Sequence, residues 1–333
     1  MIIDIWGGGA LGLLFYSKIA THLADNQLNL WCRTQEQVDT IHSEGIVFQE
    51  NYIADPQIMF PNESSGCNVY AVDSQSTSTL SLADLIIVTI KQTHLTASFI
   101  QQLQTRVKQG TAIICLQNGV RADNPWPESW QVYAAITTEG AKKSAGNHIT
   151  HAGYGQTVIG RMDSLYRSDD ATSHMAICTQ NEHAHLSFLI NLFQKAGFQS
   201  SLSKDIGKEV YRKLIINAVI NPLTAIWRVP NGELLASHTR VELMRQLFME
   251  AVEVYRRNHI PYSEHWWDDI LNVCRATASN TSSMLADVQH NRRTEIAWIN
   301  GTIIEMARRT DYRAEAHEWM YRFIEPLTLE EAP

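Results

Sequence analysis

Met1-Ile-Ile-Asp-Ile-Trp6 runs straight into Gly7-Gly8-Gly9-Ala10-Leu11-Gly12, and the reading of this stretch decides the fold. A short apolar run of this kind is the pattern of a buried strand. Behind the glycines, Leu13, Leu14, Phe15, Ile19, Ala20 and Leu23 recur as they would on a packed helix. Strand, G-x-G-x-x-G and helix in immediate succession predict a dinucleotide-binding turn. Gly7 allows the tight turn, Gly9 lets the backbone approach a pyrophosphate, and Gly12 lets the helix lie close to the strand. The phosphates would rest on free N–H groups at the helix start. Gly7, Gly8, Gly9, Ala10, Leu11 and Gly12 are therefore the expected cofactor contacts. A structural glycine turn of some other α/β fold is the alternative, and the strand and helix on either side argue against it.

Further along, Leu28-Asn-Leu-Trp-Cys-Arg33 reads as a second strand, and residues 45–61 as short strands around turns. Residues 62–79, rich in Ser, Thr and Asn, read as irregular connection. Leu85-Ile-Ile-Val-Thr-Ile90 is the β-branched run of a buried parallel strand. A helix is predicted over 93–107, strands over 112–116 and 131–137, and a β-hairpin over 148–160 turning at Gly153 to Gly155. A helix from about 183 to 196 stops at Gly197. From about Asp205 the strand signals end, and 206–221, 238–258, 263–279 and 292–309 carry helical spacing. The expected fold is α/β: a Rossmann-type dinucleotide-binding domain over 1–204, followed by an all-helical domain over 205–333.

The bulk properties narrow the function. A chain of 333 residues with 44% hydrophobic composition can build two cores. The net charge of −8 and the lack of a basic run do not suggest a nucleic-acid partner. No apolar stretch approaches the ~20 residues of a membrane span, and no signal peptide is visible. Cys32, Cys67, Cys115, Cys178 and Cys274 are dispersed, as free thiols of a reducing compartment are, so a cytoplasmic location is expected. His183 and His185 are the nearest approach to a metal pair, but they lack Asp, Glu or Cys partners at ligand spacing, so no metal is expected.

The tip of the second strand bears on the cofactor. In such a unit an acid there binds the ribose 2′-hydroxyl of NAD, whereas an arginine accommodates the 2′-phosphate of NADP. This chain has Arg33 followed by Thr34, with Glu36 and Asp39 further on. A guanidinium suits a phosphate dianion, so NADP(H) is the favoured cofactor, and an ordinary solvated arginine is the alternative. Lys91 and Asn118 follow later strands, at the carboxyl ends where ligands of open α/β sheets bind. Lys91 could meet cofactor phosphate and Asn118 the nicotinamide ribose or the substrate; either could equally be a satisfied loop polar.

A second signal lies in Glu209-Val-Tyr-Arg-Lys213-Leu-Ile-Ile-Asn217-Ala-Val-Ile-Asn221-Pro222. Lys213, Asn217 and Asn221 interrupt an otherwise apolar helix at intervals of four. They drift only about 80° around the axis and so form one polar stripe. Burying such groups without partners costs several kcal/mol, so a polar network or a ligand must offset it. A desolvated lysine is a suitable proton donor to a carbonyl substrate, and the asparagines can hold hydroxyl and carboxylate. A hydrogen-bond seam between domains is the other reading. Asn280-Thr-Ser-Ser283 and Arg293-Thr-Glu295 form a second polar cluster. Ser282 or Ser283 is suited to cap the helix that follows, and Glu295 either complements a helix dipole or serves as a functional carboxylate.

These residues resemble the ketopantoate reductase (2-dehydropantoate 2-reductase) family along nearly the whole chain. The resemblance rests on Gly7-x-Gly9-Ala-Leu-Gly12, Gln117-Asn118-Gly119 and Lys213-x-x-x-Asn217-x-x-x-Asn221-Pro-Leu-Thr-Ala. It continues in Pro230-Asn231-Gly-Glu233-Leu, Ser282-Ser283-Met284-Leu-x-Asp287 and Arg293-Thr-Glu295-Ile-x-x-Ile299-Asn300-Gly301. It implies NADPH-dependent reduction of 2-dehydropantoate to (R)-pantoate in pantothenate and coenzyme A biosynthesis. By this resemblance Lys213 is the proton donor, and Glu295 orients cofactor or substrate. Asn217, Asn221, Asn231 and Ser283 are substrate positions, and Asn118 meets both nicotinamide side and substrate. Arg33 and Lys91 contact the NADP phosphates, and Ala141 offers a backbone contact to the cofactor. The chain departs from the family at Trp6 and Gly8, and the segment Thr310-Asp-Tyr-Arg-Ala-Glu-Ala-His317 lacks the Gly- and Pro-containing turn of many members. A small 2-keto acid is then the partner, in a monomer or homodimer. An NADP-dependent reductase of another branched 2-keto acid and a non-catalytic NADP(H) sensor are the rival readings.

Overall fold

The structure is a computed structural model that describes residues 1–23, 27–50, 55–62, 66–72, 80–121, 123–165 and 180–328. The chain divides into two compact units. One comprises Met1–Gln117 and Trp126–Ile206, the other Asn118–Pro125 and Gly207–Pro333.

The first unit alternates strand and helix: β1 Ile2–Trp6, α1 Ala10–Ala20, β2 Gln27–Cys32, α2 Gln35–Glu44, β3 Ile46–Glu50, β4 Gln57–Met59, β5 Cys67–Ala71 and β6 Ala83–Val88. It continues with α3 Ala97–Gln104, β7 Val107–Cys115, β8 Gln131–Thr137, β9 Gly140–Lys143, β10 His148–Gly153, β11 Gln156–Arg161, α4 Gln180–Lys195 and β12 Gln199–Leu202. Eight strands form one sheet in the order β12-β11-β8-β7-β6-β1-β2-β5. Every neighbouring pair is parallel except β8 and β11. A second sheet has the order β4-β3-β10-β9.

Side-chain alternation along the central strands supplies two apolar layers. Ile3, Ile5, Leu28, Leu30, Leu85 and Ile87 pack with Leu13, Leu14 and Phe15 of α1 on one face. Trp6, Trp31, Ile86, Val88 and Ile113 pack with Phe99 of α3 on the other, where the Trp6 and Trp31 rings stack at 5.0 Å. That second face also buries a charge pair. Arg106 Nε donates to Asp4 Oδ2 at 2.8 Å, and Asn29 Nδ2 donates to Asp4 Oδ1 at 2.7 Å. Arg106 also donates to the carbonyls of Leu80 and Ser81. A buried ion pair is tolerated only when its remaining hydrogen bonds are made, and here they are.

Three expectations from the sequence need correction. Residues 148–160 are not a hairpin, because β10 pairs with β3 and β9 whereas β11 pairs with β8 and β12. The glycines at 153–155 carry the chain from one sheet to the other. A Cβ on Gly155 would lie 2.3 Å from the Thr138 carbonyl carbon, so close backbone approach explains the glycine there. Within 62–79, expected to be irregular, Cys67–Ala71 forms β5, the sheet's outer strand beside β2; residues 63–65 and 73–79 lie outside the described residues. The helix expected over 93–107 is shorter, with a 3₁₀ turn at Gln92–His94 and α3 capped by the Thr96 hydroxyl. α4 does end as expected, at Gly197 with φ +82°.

The second unit is built from α5 Ile206–Trp227, whose first residue belongs to the other unit, α6 His238–Arg257, α7 Trp266–Ala276, α8 Ser283–Gln289, α9 Ile296–Arg309 and α10 Glu315–Ile324. No strand occurs among its described residues. α5 continues past Asn221 and through Pro222. After α9 the chain reverses at Asp311, a non-glycine residue with φ +51°, which does the work of the missing glycine turn. Among the described residues no helix is long and apolar enough to cross a membrane.

Candidate active site

In the first unit the glycine turn is shaped as its residue types require. Gly7 has φ +125°, and a Cβ there would meet Thr89 Oγ1 at 2.7 Å. A Cβ on Gly12 would lie 1.8 Å from the Gly7 carbonyl oxygen, so only glycine lets α1 approach so closely. Gly9, in contrast, faces open space. It is the N-cap residue of α1 and no side chain caps the helix. The first-turn N–H groups, the positive end of the helix dipole, therefore point to where an anion fits. The turn accommodates a dinucleotide pyrophosphate by this test.

The other expected cofactor residues surround this turn or lie at strand ends of the same unit. Arg33 is exposed at the tip of β2, immediately before Thr34, which caps α2. Lys91 follows the end of β6 and is half-buried. Ala141 lies on β9 opposite His151. Two residues that the sequence reading missed hold the turn. Gln37 Nε2 donates to the Gly8 carbonyl at 2.8 Å and to the Gly146 carbonyl at 3.0 Å. Lys143 Nζ donates to the same Gly8 carbonyl at 2.8 Å. Lys143 stands two residues from Ala141 on the same strand, so period-two alternation is the signal that marks it.

In the second unit the polar stripe lies on α5. Lys213 and Asn217 are half-buried, and Asn221 is buried. Burial pushes the Lys213 ammonium down to about 8, with the Glu295 carboxylate acting in the opposite direction. Glu295 is buried at the start of α9 and accepts from Asn118 Nδ2 at 3.5 Å. The structure thus brings Lys213, Glu295 and Asn118 into one electrostatic group. The position of Asn118 is set by its neighbours. Val120 N–H donates to the Trp298 carbonyl at 2.9 Å, and Gly119, at φ +76°, comes so close that a Cβ would lie 2.4 Å from the Trp298 oxygen.

The remaining expected substrate residues are placed by the neighbouring segments. Asn231 is buried, donates to Thr277 Oγ1 at 2.8 Å and leaves its Oδ1 without a partner among the described residues. Ser282, not Ser283, caps α8 through the Leu285 N–H, which leaves Ser283 exposed on the helix's first turn. Ser282 Oγ also lies 2.7 Å from Thr224 Oγ1, which bonds the Asn221 carbonyl one turn back on α5. Among the described residues no group of acids, histidines and cysteines is arranged to hold a metal ion.

A family model described as ketopantoate reductase PanE/ApbA matches residues 3–164, and its C-terminal counterpart matches residues 205–328. The 2-dehydropantoate 2-reductase of Bacillus subtilis is 30% identical over 98% of this chain and 97% of its own. The chain belongs to the ketopantoate reductase family. Another relative, the 2-dehydropantoate 2-reductase of Vibrio cholerae, is 29% identical over 98% of both chains. A solved ternary structure of D-mandelate dehydrogenase with NADH and anilino(oxo)acetate has the same fold, with a TM-score of 0.78 over 98% of both chains at 21% identity. The ketopantoate reductase fold, an α/β unit with a parallel sheet followed by a helical one, is therefore the fold of this chain.

Proposed function

We propose that this chain reduces 2-dehydropantoate to (R)-pantoate with NADPH, in the cytoplasmic route to pantothenate and coenzyme A. The observation that carries the proposal is the grouping of half-buried Lys213, on a helix with two further polar residues in line, with the Glu295 carboxylate that acts on it and the Asn118 amide that donates to Glu295; burial lowers the Lys213 pKa to about 8. Family membership supplies the substrate class. The open face at Gly9 and the uncapped start of α1 support dinucleotide binding, and Arg33 at the β2 tip, with no acid there, supports the 2′-phosphate form. Cys32, Cys67, Cys115 and Cys274 are free and buried, which suits a reducing compartment; Cys178 lies outside the described residues.

In this reading residues 1–204 bind NADP(H), and residues 205–333 provide the substrate and catalytic groups. Gly7 to Gly12, Arg33, Lys91 and the Ala141 backbone hold the cofactor. Bound NADPH supplies the hydride that the ketone carbon accepts. Lys213 holds the proton that the carbonyl oxygen takes as it becomes a hydroxyl. A donor with a pKa near the working pH is efficient at this. Glu295 sustains the charged form of Lys213 and, with Asn118, orients the nicotinamide side. Asn217, Asn221, Asn231 and Ser283 bind the hydroxyl and carboxylate of the keto acid; the partnerless Oδ1 of Asn231 is an acceptor ready for a hydroxyl.

The test is loss of NADPH absorbance with 2-dehydropantoate, run beside NADH and other branched 2-keto acids, for the wild type and Lys213→Ala. Turnover fastest with NADPH and 2-dehydropantoate, abolished in Lys213→Ala with NADPH binding intact, is the expected result. Near-native turnover by the variant would remove Lys213 from its role. The fold neighbour that carries NADH and an oxoacetate ligand favours one second reading, a reductase of another 2-keto acid. A different best substrate in the same assay would establish it.

A further inference from the structure

Lys143 is a half-buried cation whose hydrogen-bond partner is a neutral carbonyl, that of Gly8. Among the described residues it has no carboxylate in ion-pair contact. Burial lowers its pKa, and the Cys32 thiol acts on it in the opposite direction. Desolvating an ammonium against a carbonyl alone is unfavourable, so the arrangement gains stability when an anion arrives. The position selects which anion. Pyrophosphate belongs at the open face of Gly9 and the N–H groups of α1. Lys143 bonds the Gly8 carbonyl instead, and the charge that acts on it is that of Cys32. A Cβ on Gly8 would meet Gln37 at 2.6 Å and Cys32 Sγ at 2.9 Å, so the residue whose carbonyl Lys143 bonds is packed against the end of β2. Cys32 is the last residue of β2 and Arg33 is the next. The tip of this strand is where such folds read the 2′ position of the adenosine ribose.

We propose that Lys143 is a cofactor-specificity residue, the second cation with Arg33 in a site for the 2′-phosphate of NADP(H). This rests on the NADP reading above and deepens it. The division of labour follows from chemistry. Arg33, exposed and forked, grips two phosphate oxygens. Lys143 is held by the Gly8 carbonyl and supplies a fixed point charge from the sheet side. Gln37, bonded to the same carbonyl and to Gly146, keeps the turn in place whether or not the phosphate is present.

The experiment is equilibrium binding, read by quenching of tryptophan fluorescence, of NADPH, NADH, 2′,5′-ADP and 5′-ADP to wild type, Lys143→Gln and Lys143→Arg. The proposal expects Lys143→Gln to weaken NADPH and 2′,5′-ADP by about tenfold to a hundredfold, the size of a lost charge-assisted hydrogen bond. NADH and 5′-ADP should stay within about twofold, and Lys143→Arg should retain most of the NADPH preference. Equal weakening of NADPH and NADH would overturn it, because the lysine would then serve the turn or the pyrophosphate that both cofactors share. Unchanged binding of all four would overturn it as well. A wild type that binds NADH and NADPH equally would defeat the NADP reading itself, before any variant is compared.

Discussion

Asn300 donates its side-chain amide to the Ala218 carbonyl at 3.0 Å, the carbonyl that Pro222 leaves without its helical partner. In α5 residue 222 would donate to residue 218, and proline has no N–H to give. Asn300, on α9, supplies the missing donor from outside the helix, so α5 runs unbroken from Ile206 to Trp227 with Asn217 and Asn221 on either side of the repair. Asn300→Ala should destabilise the protein by about 1–3 kcal/mol, the cost of an orphaned buried carbonyl. In a Pro222→Ala background the new N–H restores that bond, so the same change should cost clearly less. Denaturant unfolding of the four proteins in this cycle measures the coupling, and purely additive effects would show that Asn300 does not repair α5.

The proton-donor role of Lys213 fixes a pH dependence. The group must be protonated to act, and its pKa is lowered to about 8. kcat should therefore fall above that pH, tenfold for each unit. Glu295 raises the Lys213 pKa, so removing its charge in Glu295→Gln should move this fall to lower pH. A pH–rate profile of both proteins decides the matter; a shift to higher pH would contradict the electrostatic pairing.

His317 makes stability depend on acid. Its Nε2 lies 3.0 Å from the Leu247 carbonyl, which can only accept, so Nε2 carries the proton and Nδ1 accepts from Asn300 at 2.9 Å. Burial depresses its pKa from 6.5 to about 4. Between those values the unfolded chain binds the proton and the folded one does not. Stability should thus be lost as pH falls from about 6.5 toward 4, by about 1.4 kcal/mol per unit. Glu250, whose carboxylate accepts from the Ala316 and His317 N–H groups, is raised by burial and acts in the opposite sense. It stays constant when wild type is compared with His317→Gln. The variant should be less stable at neutral pH and have a flatter Tm–pH curve over this range; parallel curves would assign the acid sensitivity to other groups.

Gly119→Ala should be harmful out of proportion to one methyl group. The new Cβ would lie 2.4 Å from the Trp298 carbonyl oxygen at a φ of +76°, where an L side chain costs about 1–2 kcal/mol before any clash. Relief requires the segment bearing Asn118 to move away from Glu295. Tm and kcat/KM should both fall, with NADPH binding less affected than turnover. A drop in Tm with unchanged kcat/KM would mean that Asn118 keeps its place or has no part in the reaction.

Much of this was legible in local pattern. The strand, glycine turn and helix at residues 2–20 announce their geometry because Gly7 and Gly12 each answer a short-range constraint. Lys213, Asn217 and Asn221 stand out because a 3.6-residue period aligns them. What stayed hidden depends on partners remote in sequence. No period tells that β10 and β11 pair in different sheets, because strand partners at 47 and 137 are chosen by the whole sheet. Lys143 looks like an ordinary strand lysine until the Gly8 carbonyl is seen beside it. Asn300 was visible within its motif, yet its purpose is set by Pro222, on a helix far earlier in the chain.

The eight residues from Asn118 to Pro125 leave the sheet unit's stretch of chain, join the helical unit, and hand the chain back at Trp126. Neither unit is therefore an exchangeable module. A gene fragment ending near residue 204 would encode Gly119 and Val120 without the Trp298 carbonyl they are built around, and one starting there would lack Asn118. Recombination at that boundary can succeed only between parents that agree on both pieces, so the two halves are bound to diverge together.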